Sequence, residues 1–203
     1  MGLLSGAITA RRYVVDGEAP EGWRSKYAEA LLENAFREPG SAAFKGEVIG
    51  WVEAHNLLDT DFTDSSKWNY EPFLLFALRI DKKSLPAALF RAHLDKRVRA
   101  WCAEHQREKC PRQVKEELHD ELEHEMLRRT LPSARVVEVC WNVHDGWVLF
   151  GSHSNGVNET FRKRFFATFG LELHPQDPLG LVADDMVAAA LELTGVSDLR
   201  VEA

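Results

Sequence analysis

The chain has 203 residues, 45% hydrophobic and 28% charged, with a formal net charge of −7. One compact domain or two small ones fit that length, and a chain of this size buries roughly 70% of its unfolded surface. No run approaches the ~18 apolar residues of a membrane span, and the start has only a short apolar run ahead of Arg11 and Arg12, the reverse of a secretory signal, so a cytoplasmic protein is expected.

Ile8–Val15 is β-rich and is predicted as a strand, turned by Asp16-Gly17. Trp23, Tyr27, Leu31 and Ala35 recur at helical spacing, which predicts a helix from Pro20 to about Arg37, stopped by Pro39-Gly40-Ser41. Val48–Val52 reads as a strand. Asp59–Asn69 is polar and rich in turn formers, so an exposed loop is expected. Within it Trp68 either stacks on a base or partner, or packs beneath its own loop. Phe73–Ile80 is apolar almost throughout and reads as a buried strand.

Leu85-Pro86 opens a long predicted helix. Phe90, Leu94, Val98, Trp101 and His105 fall on one face, which puts Trp101 in the core. Arg91, Lys96, Arg99 and Gln106 lie away from that face, and Arg97 flanks it. Pro111 breaks this helix or begins the next, marked by Val114, Leu118, Leu122 and Met126. Val136–Val143 and Trp147–Gly151 form a predicted hairpin about His144-Asp145-Gly146. A helix is expected from Ser154/Asn155 to Phe169, ended by Gly170. A short strand at Leu171–Leu173, a linker at Pro175–Gly180, a helix at Asp184–Leu193 and an edge strand at Leu199–Val201 complete the pattern. The order predicts an α+β fold of antiparallel sheets with packed helices. Residues 1–180 form the main region, with 85–132 as a helical segment within it or a lobe of its own, and 181–203 follow it.

Charge is unevenly placed. Between Arg79 and Lys115 there are eleven Lys/Arg and four acids, a local balance of +7 in a chain of −7. The next ten residues, Glu116–Glu125, hold six acids and no Lys or Arg. Such a sign change localises a candidate polyanion surface, against the plainer reading of a solvated helix face. The acidic run reads as solvated surface suited to a helix start.

Other chemistry finds little support. The three cysteines, Cys102, Cys110 and Cys140, have no CxxC and fit reduced thiols. His119, Glu123 and His124 match neither HExxH nor HxxEH. His144-Asp145 and Ser152-His153-Ser154 lack a GxSxG setting. No phosphate-binding glycine motif is present, so no nucleotide cofactor is expected.

The order of motifs resembles the bacterial recombination-associated RdgC family. The resemblance rests on Arg12-Tyr13, Gly50-Trp51-Val52, Arg79-x-x-x-Lys83-x-Leu85-Pro86, Lys115 with Asp120-Glu121, Leu131-Pro132-x-Ala134, Trp141, Ser152, Gly170-Leu171 and Pro175. It covers about residues 8–180 and roughly the N-terminal two-thirds of the family form. It implies a nucleoid-associated protein that binds duplex DNA with little sequence preference, forms a ring-shaped homodimer, restrains the RecA recombinase, and has neither catalysis nor a cofactor. Arg79 and Lys83 match the family's basic positions. Lys82, Arg91, Lys96, Arg99, Arg107 and Lys115 complete the expected DNA-binding set. The chain departs from the family in lacking its C-terminal part and in having Arg135 at an aromatic dimer-contact position. Its segment between the two Leu-Pro steps is also about five residues longer, over one helical turn. Those departures keep open an alternative, a shortened RdgC-like protein-interaction module without strong DNA binding.

Overall fold

The computed structural model describes residues 9–39 and 44–176. Its elements are β1 (Arg11–Asp16), α1 (Trp23–Glu33), β2 (Glu47–Glu53), a 3-10 turn (Ser65–Lys67), β3 (Asn69–Tyr70), β4 (Phe73–Lys82), α2 (Ala87–Glu104), α3 (Arg112–Arg129), β5 (Ser133–Asn142), β6 (Trp147–Phe150), α4 (Asn155–Phe169) and β7 (Glu172–Pro175). The expected helix at 184–193 and strand at 199–201 lie outside the described residues. The seven strands make one antiparallel sheet in the order β2-β4-β5-β6-β1-β7, with β3 beside β4. The fold is α+β, as the pattern predicts.

Strand alternation sorts the sheet into two faces. The register pairs Leu74 with Trp141, Phe76 with Val139 and Leu78 with Val137. These side chains, with Tyr13, Trp51, Val148 and Phe150, are buried on one face under α1 and α4. Phe161, Phe165 and Phe169 of α4 recur every four residues on its inner stripe. Phe161 stacks on Phe150 at 4.0 Å, and Phe165 meets Trp141 edge-on at 5.0 Å. Each such fully buried side chain contributes about 1.5–3 kcal/mol. Gly170, at φ 70°, ends α4.

One glycine is required by close approach. Phe36 N–H donates to the Trp51 carbonyl at 2.8 Å, and Trp51 N–H to the Asn34 carbonyl at 3.1 Å. Residues 34–36 thus satisfy the outer edge of β2. A Cβ on Gly50 would meet the Phe36 backbone inside the 3.0 Å that real Cβ atoms respect. This explains the glycine in Gly50-Trp51-Val52.

The two central helices form a hairpin. Pro86 and Pro111 stand immediately before α2 and α3, where a missing N–H costs nothing. The expectation that the α2 stripe is core does not hold: no α2 side chain is fully buried, and Phe90, Leu94, Val98 and Trp101 are each half-buried. Among the described residues the stripe packs chiefly on α3, and Trp101 stacks on His105 at 4.1 Å. Between the helices, Arg97 pairs with Glu125, whose carboxyl is held below the usual range first by that bond. The hairpin is tied down where Lys83 Nζ donates to the Leu127 carbonyl at 2.8 Å and Lys45 pairs with Glu123 at 3.0 Å.

Candidate nucleic-acid interface

The basic residues separate into three environments. Arg79, expected at the surface, is inside. Its side chain is 8% exposed, and Nε and Nη2 donate to both Asp81 oxygens at 2.9 and 2.8 Å. Nη1 donates to the Leu57 carbonyl at 3.0 Å, and the Phe36 ring lies 4.0 Å from the guanidinium. The Asp81 bond raises the Arg79 pKa, so the charge is permanent. The cause is strand alternation: residues 79 and 81 share the face away from α1 and α4, under Phe36 and the Leu57 loop. The geometry gives Arg79 a structural role and leaves its donors unavailable to a phosphate.

Lys82 and Lys83 sit at the end of β4. Lys82 is exposed and pairs with Glu47 at 3.1 Å. Lys83 is half-buried, and its bond to the Leu127 carbonyl satisfies the last turn of α3 and complements that helix's negative end.

Arg91, Lys96 and Arg99 are exposed on the outer face of α2, as the wheel predicts, and no hydrogen bond or ion pair holds any of them among the described residues. α2 has 18 residues, about 27 Å of helix. Arg107 lies exposed in the turn between the helices, and Lys115 is exposed in the first turn of α3. The acidic run follows on the same helix, α3. A groove of about 650 Å³ there is lined by Asp120, Glu121, His124, Glu125, Arg128 and Arg129.

Geometry bears on two other readings. Trp68 is not an exposed stacking residue: it is 1% exposed, and its indole N–H donates to the Phe62 carbonyl at 3.0 Å. Its loop closes on itself through Asp59, Asp61 and Asp64, which accept from the N–H groups of Asp61, Thr63 and Ser66. Near the acidic run, His119, Asp120 and Glu123 bring ligand atoms within 4.8 Å of one another, whereas His124 stays outside the group. Glu123 is engaged by Lys45, so one of the three ligands is already neutralised.

Sequence reasoning missed one constellation. At the far end of β2, β4 and β5, a cleft of about 560 Å³ opens beside the start of α4. Lys82 and Arg135 line it. The residue pairings Glu47–Lys82 and Lys82–Ser133 were not visible in the linear chain. Arg135 is visible there only as a cation just ahead of a predicted strand.

No helix among the described residues is long and apolar enough to cross a membrane. No curated protein matches the chain. A family model described as "Putative exonuclease, RdgC" matches residues 17–180 of the 203.

Proposed function

The chain belongs to the RdgC family, and from that premise we propose that it is a sequence-nonspecific duplex-DNA-binding protein that acts by electrostatics and without catalysis. The observation that carries this reading is the outer face of α2, where Arg91, Lys96 and Arg99 are exposed and, among the described residues, unpaired on a helix that buries no side chain of its own. Lys82, Arg107 and Lys115 extend the surface at its two ends. Arg79 is left out of it, and Lys83 contributes by anchoring the hairpin. Lys and Arg placed so neutralise phosphates and release counterions, which gives affinity without reading bases.

Six such contacts predict a loss of about 10³-fold in affinity for random duplex DNA between 50 and 200 mM salt. Joint charge reversal at Arg91, Lys96 and Arg99 weakens binding to all sequences alike and flattens the salt dependence. A mobility-shift titration measures both. Reversal variants that bind as the parent does would show that this surface is wrongly assigned. A parent chain that shifts no duplex at low salt favours the protein-interaction module instead.

A homodimer is part of the proposal, with the exposed Leu89 of α2 as a contact, and light scattering on the parent and on Leu89→Glu tests it. Restraint of the RecA recombinase is a further part of the proposal, measured as slower strand exchange. The word exonuclease in the family description calls for one control. Duplex DNA incubated with the chain and Mg²⁺ keeps its length. Shortening that disappears in Glu123→Gln would overturn the non-catalytic reading and assign the His119–Asp120–Glu123 group a metal.

A further inference from the structure

We propose that the cleft at the start of α4 is a phosphate subsite that takes one phosphate of a nucleic-acid backbone, an inference that rests on the DNA-binding reading for the source of the phosphate. The floor of the cleft is the sheet. Glu47 is opposite Lys82 in the β2–β4 register, and Lys82 is opposite Ser133 and Ile80 opposite Arg135 in the β4–β5 register. These side chains share the face that α4 covers, at the end where α4 begins. The wall is the start of α4, with Ser154, Gly156, Val157 and Thr160.

Three features converge there. The first is an uncapped helix start. No side chain caps α4, and among the described residues no acceptor reaches the N–H groups of Asn155, Gly156 or Val157. The side chain of Asn155 is turned aside, its Oδ1 accepting from Arg11 Nη2 at 2.6 Å. The free N–H groups and the helix dipole favour an anion. Gly156 offers no side chain to block the approach, and a Cβ there would meet nothing within 4 Å.

The second feature is Arg135. Its Nη2 donates to Ser152 Oγ at 3.2 Å, and among the described residues the other guanidinium donors have no partner. Ser152 is itself buried, and its Oγ also accepts from Ser154 N–H at 3.3 Å. One hydroxyl therefore ties the arginine to the residue preceding α4. The third feature is Lys82, held by the exposed Glu47 and free to exchange that carboxylate for a phosphate. Two cations and one carboxylate leave the cleft positive before the helix dipole is added. Serine hydroxyls at 84, 133 and 154 supply further donors.

The frame is rigid where it needs to be. Asn158, buried in the second turn of α4, donates to the carbonyls of Ser152 and Ser154, each at 2.8 Å, and accepts from Tyr13 hydroxyl at 2.6 Å. This fixes the start of α4 to β1, so the N–H groups are aimed before a ligand arrives. Preorganised, charge-assisted donors of this kind make a specific anion site.

The test uses the full chain and inorganic phosphate as the probe, followed by amide NMR. Phosphate is expected to shift the signals of Asn155, Gly156 and Val157 saturably. Arg135→Gln weakens that binding by about tenfold or more, the worth of a charge-assisted hydrogen bond. Glu47→Gln, which removes the competing carboxylate, strengthens it. No saturable shift at α4, or a titration that neither variant alters, would overturn the subsite. On random duplex DNA, Arg135→Gln is expected to lower affinity and reduce the salt slope by about one contact. If that variant loses phosphate binding yet binds duplex with unchanged affinity and slope, the backbone source is overturned and the ligand is a free phosphate. Failure of the α2 charge reversals with success at Arg135 would remove the α2 surface and leave this one standing.

Discussion

Arg79 carries a permanent charge on an almost fully enclosed side chain, bonded through two nitrogens to Asp81. Breaking a buried pair by removing one partner leaves the other uncompensated, which costs about 3–5 kcal/mol. Arg79→Met is therefore expected to lower the urea midpoint strongly, and Arg79→Met with Asp81→Leu to restore most of the loss. A single variant as stable as the parent would show that Asp81 reaches solvent or another partner. The same residue shows what was legible. Arg-x-Asp in a strand places both side chains on one face, so the pairing was written in the sequence. The enclosure was not, because Phe36 and Leu57 arrive from segments far away in the chain.

At the scale of elements, the loop before β3 is the clearest case of local chemistry deciding a conformation. Asp59, Asp61 and Asp64 are all held below the usual carboxylate range, first by Lys67 Nζ, Thr63 hydroxyl and Ser66 hydroxyl respectively. Lowered folded values mean stabilisation that is fully present above about pH 3.9 and is lost as pH falls through the folded values. Trp68 fluorescence, isolated by difference from Trp68→Phe, is expected to stay that of a buried indole down to about pH 4 and to shift to the red below it. Asp59→Asn moves that transition to higher pH. A Trp68 signal that instead follows far-UV circular dichroism at every pH would mean the loop has no separate transition. Polar spacing in Asp59–Asn69 correctly indicated a surface segment. It said nothing about the side chains beneath, because an indole with a carbonyl partner at Phe62 can be buried inside a polar loop.

For the whole molecule, the sheet with α1 and α4 and the α2–α3 hairpin are unequal in burial. β4 and β5 pair over ten residues in the centre of the sheet, whereas α2 buries no residue and α3 buries Leu122 and Leu127. Few buried contacts predict low-energy local opening. Native-state hydrogen exchange is expected to be faster in α2 than in β4 and β5, and to slow in α2 when duplex DNA is bound. Equal protection in the free chain would mean that the hairpin and the sheet open together.

The sequence by itself determined the element order, the two hairpins and the sign change along α2 and α3. These depend on periods of two and 3.6, on prolines ahead of helices and on Asp-Gly and Gly stops, all of which act over a few residues. Only the tertiary structure decided which cations meet solvent. It took Arg79 inside, assigned Lys83 to the end of α3, left α2 half-covered, and brought Lys82, Arg135 and the start of α4 around one cleft. The reason is that strand register joins residues 47, 82 and 133 across the loop before β3 and the α2–α3 hairpin, and no local pattern in a chain encodes which distant strand its neighbour will be.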